Sequence, residues 1–163
     1  DVQSRPIDGE GGYGIAAQLD STVDLSNAVI RNTHQVAVIA IEGTTRITLD
    51  SIEVVGVGSP PCVDGGDCVV SASGHAFGVY AEASLDARNF SVRSAAVCGV
   101  HVAAGGTAHL QDGEVAGSAI GACIQSDAQA IGALQERVLY RDNDMNLQAT
   151  TLPVPSGLEG VEE

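Results

Sequence analysis

Asp86, Arg93, His109 and Glu114 are of the types that move protons. An acid, a base and an arginine brought into one neighbourhood are what proton abstraction requires. Tyr80 and His101 form a second pair, an aromatic ring and an imidazole that would stack a sugar ring from one flat outward face. Four cysteines, Cys62, Cys68, Cys98 and Cys123, offer disulfide or metal chemistry. The acid pairs Asp142/Asp144 and Asp64/Asp67 could hold an adventitious calcium ion, the one cofactor considered. Asp142–Asn146 opens like an EF-hand loop, but Leu147 stands at the required Gly and Pro153 at the bidentate acid. Gly11–Ala16 opens like a glycine-rich calcium nonapeptide, with Ala16 where the ligand Asp belongs.

Any such chemistry depends on what positions these residues. Four stretches share one template: Ser21–Ile30, Thr45–Val54, Ala83–Val92 and Gly106–Val115. In each, two short runs of period-two alternation meet at a corner, as two strands joined by a bend would. The corner residues are Asn27, Ser51, Asn89 and Asp112. Asn and Asp tolerate positive φ and bond their own backbone, which suits a sharp turn. Asn89 also heads a glycosylation sequon, Asn89-Phe90-Ser91, but its corner position already accounts for it.

A second element recurs. Gly14-Ile15-Ala16-Ala17 aligns with stretches starting at Ala37, Gly78, Gly99 and Gly121, at intervals of 23, 41, 21 and 22 residues. The long interval is one period plus an insertion over 56–76, rich in Pro and Gly. Fixed periods of this size mark a solenoid. Three strands per period leave no room for crossover helices, so the chain should wind as a three-sided parallel coil over 13–150. Each strand then pairs with its equivalent one turn on, about 4.8 Å away. Inward columns would be Leu25, Leu49, Ala87, Leu110 and Ile30, Val54, Val92, Val115. Outward columns would be Asp24, Thr48, Asp86, His109 and Val29, Glu53, Ser91, Glu114, with Arg31 and Arg93 just beyond. Ile39, Tyr80, His101 and Cys123 would share another outward column.

The Gly-Val/Ile starts and the Leu25-Ser26-Asn27-Ala28-Val29-Ile30 corner resemble the right-handed parallel β-helix family, the pectin-lyase-like superfamily. The resemblance covers roughly 12–125. It implies an all-β, right-handed, single-stranded parallel β-helix of about five turns. It is nearly silent on activity, since this fold carries lyases, hydrolases, epimerases, adhesins and inert scaffolds. Lyases of the family pair a calcium-binding acid cluster with an Arg or Lys base on one outer face, which draws attention to Asp86, His109, Glu114 and Arg93. Hydrolases would show paired Asp motifs and Gly-His-Gly; Gly74-His75-Ala76 is only a partial echo.

Composition narrows the partners. The formal charge is −14, from 21 acids and 7 bases. All the bases are arginine. So negative a surface repels nucleic acid, which needs clustered cations, and it disfavours polyanions unless a cation bridges. No apolar run reaches the length of about 18 residues that a membrane-spanning helix needs, so no membrane insertion is expected. Cys62 and Cys68 bracket a Gly-Gly loop and are expected to form a disulfide, which places the chain in an extracellular or cell-surface setting. With Gly99 over Gly121, Cys98 points inward and Cys123 outward, leaving both thiols free; a register slip would instead set them side by side.

Residues 1–12 read as a polar lead-in and 151–163 as an acidic tail or linker. Ala130–Tyr140 fits a further coil turn, with Ile131, Ala133 and Val138 or Leu139 inside. It also fits a capping helix with Ile131, Leu134 and Val138 on one face. The apolar residues of 130–147 should cover the C-terminal end of the coil, leaving the N-terminal end open to self-association. The expected function is a non-catalytic extracellular scaffold or binding module for a polysaccharide or another surface protein, within a larger secreted or surface protein. A carbohydrate-active enzyme, or a remnant of one, is the alternative.

Overall fold

A computed structural model describes residues 12–58 and 73–154. The chain is a parallel β-solenoid of about five turns. One sheet holds four long strands, β2 (Thr22–Thr33), β4 (Arg46–Val57), β6 (Ser84–Ala95) and β8 (Thr107–Ala116), and a shorter β10 (Glu136–Arg141). The other holds six: β1 (Ile15–Ala17), β3 (Val36–Ile41), β5 (His75–Tyr80), β7 (Cys98–Ala103), β9 (Ile120–Gln125) and β11 (Met145–Ala149). We call them the bent sheet and the short-strand sheet. Every pairing is parallel.

The bent sheet follows the sequence template. Leu25, Leu49, Ala87 and Leu110 stack in one column, and Ile30, Val54, Val92 and Val115 in another. The expected corner residues Asn27, Ser51, Asn89 and Asp112 have φ of 53°, 59°, 52° and 52°, and Arg137 adds a fifth at 54°. Each corner inserts one residue that shifts the alternation, so Ile47 and Leu49 before Ser51, and Ile52 and Val54 after it, all face the core. Pairing runs on through the corner, so two of the three expected strands per turn are one bent strand.

A second row of corners follows at Asn32, Gly56, Ser94, Gly117 and Asp142, also at positive φ. A third is a two-residue turn at Leu19-Asp20, Glu42-Gly43, Ala81-Glu82 and Ala104-Gly105, where both residues have positive φ, as a type I′ turn demands. At Gly43 an added Cβ would collide with Asp20 Oδ1. That same oxygen accepts from Thr44 N at 2.7 Å, tying the first turn to the second.

Inside the coil the buried side chains are Ala, Val, Ile and Leu, with Phe77 and Phe90 the buried aromatic exceptions. The Phe90 ring fills the space of the missing Cβ at Gly113 one turn on. The middle strands of the short-strand sheet, β3, β5 and β7, are buried on both faces. Val38, Ala40, Val79 and Val102 face the coil interior, whereas Val36, Ile39, Ile41, Tyr80 and Ala103 form a second apolar cluster, with Tyr13 and Val154 against it.

Of the two C-terminal readings, the further coil turn is the one found, but the expectation that 130–147 covers the end of the coil is corrected. Residues 130–147 do not fold over the end. Ile131–Leu134 is one 3₁₀ turn with Leu134 buried and Ile131 exposed. Then β10 pairs with β8 and β11 with β9, adding a last turn on which Val138 and Tyr140 face the core and Leu139 faces outward. Gln129 closes the part of β8 that β10 does not reach, its amide accepting from Ala108 N at 2.7 Å and donating to Ala108 O at 3.0 Å.

Candidate functional site

The outward rows of the bent sheet carry most of the described charge. Asp24, Thr48, Asp86 and His109 share one row, and Val29, Glu53, Ser91, Glu114 and Leu139 another. Every described arginine pairs with a carboxylate on a neighbouring turn: Arg31 with Glu53 (3.5 Å), Arg46 with Asp86 (3.0 Å), Arg88 with Asp50 (3.0 Å), Arg93 with Glu114 (4.0 Å), Arg137 with Asp112 and Arg141 with Glu114 (2.8 Å). Each inter-turn seam of this sheet thus carries at least one ion pair.

The four proton-moving candidates separate into two groups. His109 lies between Asp86 (3.6 Å from Nδ1) and Glu136 (3.2 Å from Nε2). Glu114 sits with Arg93 and Arg141 on the other side of the Asn89/Asp112 corner. Along β6, Asp86 and Ser91, the row-mate of Glu114, are five residues apart, roughly 15 Å of strand. One substrate proton cannot face both groups. A groove of about 250 Å³ beside His109 is lined by Arg46, Asp86, Ala128, Gln129 and Ala133 among others.

For three acids of this sheet, Glu136, Asp112 and Asp50, the environment favours the charged form. The His109 hydrogen bond, with Arg137 beside it, holds Glu136 below the usual carboxylate range. The Arg137 hydrogen bond does the same for Asp112, and the Asn89 amide for Asp50. A general acid needs the opposite shift.

Tyr80 and His101 correct a second expectation. Both are fully buried, at 0% exposure, so they form no exposed stacking platform. They are not row-mates either. Gly78 pairs with His101, and Tyr80 pairs with Ile41, a two-residue shift from the glycine-on-glycine alignment. The Tyr80 ring folds back over Gly78, where an added Cβ would lie 2.7 Å from Cε2. Its hydroxyl thereby reaches His101 Nδ1 at 3.0 Å.

His101 Nε2 meets Gln125 Oε1 at 3.1 Å. Gln125 Nε2 donates to Leu152 O at 2.9 Å, while Oε1 accepts from Leu152 N and Thr150 Oγ1. Gln125 Oε1 therefore also accepts from His101, which carries its proton on Nε2 and receives the Tyr80 hydroxyl on Nδ1. His75 packs its ring 4.6 Å from that of His101. Burial pushes His75 down to about 3, with His101 adding to the shift. Burial also lowers His101, against its hydrogen bond to Gln125, and raises Tyr80. The network is neutral.

Cys98 and Cys123 form a disulfide, with Cα atoms 6.0 Å apart, which overturns the free-thiol expectation. The expected register was right, since Cys98 precedes Gly99 and His101 lies on Cys123. Strict alternation was the error. Val36, two turns earlier in the row of His75 and Cys98, belongs to the outer cluster with Ile39, although Val38 between them faces inward. The phase breaks at the row of Ala37 and Gly99, so Cys98 faces outward beside Cys123.

Of the calcium candidates, Asp142 pairs with Arg141 and Asp144 N donates to Ser118 O at 3.3 Å. Among the described residues no three His, Cys, Asp or Glu side chains gather as metal ligands. Asp64, Asp67, Cys62 and Cys68 lie outside the described residues. No protein-family model, curated protein or solved structure matches the chain.

Proposed function

We propose that this chain is a non-catalytic extracellular scaffold or binding module, built on a right-handed β-helix of the pectin-lyase-like kind and belonging to a larger secreted or surface protein. The observation that carries the reading is the pairing of every described arginine with a carboxylate across a turn seam. Side chains so engaged brace the coil from one turn to the next. The buried Cys98–Cys123 disulfide supports an oxidising compartment. A polysaccharide or another surface protein is the partner class, with calcium as a bridge to any acidic polymer.

One observation favours the enzyme reading: His109 lies between two carboxylates at the edge of a groove that Arg46 also lines. Incubation with a panel of neutral and acidic polysaccharides, with and without calcium, separates the two. The scaffold reading expects neither unsaturated products nor new reducing ends, with or without binding. Turnover that His109→Gln abolishes would replace it with the enzyme reading.

A further inference from the structure

The exposed large hydrophobic side chains among the described residues are Leu19, Val29, Ile131, Leu139 and Met145. Leu19 and Val29 lie on the first turn, and the other three lie on the last or in the 3₁₀ turn leading into it. The turns between carry none. The interior divides the same way. Ile47, Leu49, Ile52 and Val54 are at most 2% exposed, while their row-mates on the first turn, Val23, Leu25, Ala28 and Ile30, are only half-buried. At the other end Val138, Tyr140 and Leu147 are half-buried, whereas Val115 and Ala122 one turn earlier are fully buried. Among the described residues, strands β2 and β10 are the two edges of the bent sheet, and β1 and β11 those of the short-strand sheet.

The row Val29, Glu53, Ser91, Glu114, Leu139 is polar in the middle and apolar at both ends. Within one coil Val29 and Leu139 lie four turns apart. They become neighbours if one coil continues into another. A parallel edge is satisfied by an equivalent strand in the same register, about 4.8 Å on. A second copy of this chain offers that at its opposite end: β2 on β10, with Val29 over Leu139, Ala28 over Val138 and Ile30 over Tyr140. Arg31 and Arg141 also share a row, but each is already paired with a carboxylate of its own copy.

We propose that the chain associates head to tail with a second copy, the last turn of one stacking on the first turn of the next. The two surfaces differ, so the contact is heterologous, and a stacking that does not close on itself grows into an open filament. This assembly does not depend on whether a polysaccharide binds the bent sheet.

Sedimentation equilibrium and light scattering across a concentration series test it, on the full chain and on Val29→Asp and Leu139→Asp made separately. Both sites are exposed, at 54% and 55%, so both variants should keep the parent circular dichroism and melting temperature. Mass should rise with concentration in the parent. Each substitution should weaken association by about tenfold or more, and equally, because each joint contains one of each residue. Weakening by Val29→Asp alone would mean a head-to-head joint, and by Leu139→Asp alone a tail-to-tail joint; either overturns the proposal. So does a monomer at every concentration, or unaltered assembly of both variants.

Discussion

The two outward faces of this coil hold polar residues by opposite means. On the bent sheet, arginines and carboxylates pair in the open, with the arginine side chains 48–61% exposed. On the short-strand sheet, His101 and Tyr80 are buried and satisfied by each other and by Gln125, while buried His75 packs its ring on His101 with its Nδ1 unpartnered. Water screens the first set, so each pair is worth little. Nothing screens the second, so an unmet group there costs its full desolvation. A residue's chemical type thus says less about its role than whether its face of the sheet is covered.

Acid should expose the difference most. His75 titrates near 3 in the folded chain and near 6.5 unfolded. The unfolded chain binds the extra proton first, so stability from this site is full above about 6.5 and falls as pH drops toward 3. The loss is on the order of 4 kcal/mol at the low end. His75→Leu should make the acid limb of a urea-unfolding series shallower between pH 6.5 and 5.5, above the range in which most carboxylates titrate. Next in size, Cys98→Ala with Cys123→Ala should cost about 3.5 kcal/mol by the loop-entropy estimate for a separation of 25 residues. Thermal melts with and without reductant check it.

Tyr80→Phe leaves His101 Nδ1 without its donor in a dry site and should cost about 1–3 kcal/mol. Raising the salt should not restore it. Arg88→Ala, which removes one exposed pair with Asp50, should cost less than about 1 kcal/mol, and 1 M salt should erase most of that. A larger loss from Arg88→Ala than from Tyr80→Phe in one denaturant series would reverse the contrast between the faces.

The bent sheet was legible because one face is buried and the other wet, so alternation marks both strand and register, and Asn or Asp at the corners marks the bend. The short-strand sheet was legible in architecture only. Its middle strands are buried on both sides, and Val36–Ile41 (VAVIAI) is the continuous apolar run that such burial writes. Read as one face in and one face out, that sheet made Tyr80 and His101 look exposed. The register slipped because Gly78 resembles Gly99, but the two glycines serve different needs. Gly78 makes room for the Tyr80 ring, while at Gly99 an added Cβ would strike Val115 and the Gly121 carbonyl oxygen. No local pattern announces the phase break that turns Cys98 outward. Gln129 escaped notice because a side-chain amide that mimics a strand edge has no periodicity at all.

The central claim, that the short-strand sheet keeps a neutral imidazole network under cover, is tested most directly by ¹⁵N imidazole spectra of the chain followed from pH 7.5 to 4.5. His75 should hold neutral-ring shifts throughout, and His101 should titrate below the usual imidazole range and show the Nε2–H tautomer while neutral. Titration of either ring near 6.5 in the folded protein, or an Nδ1–H signal from His101, would contradict it.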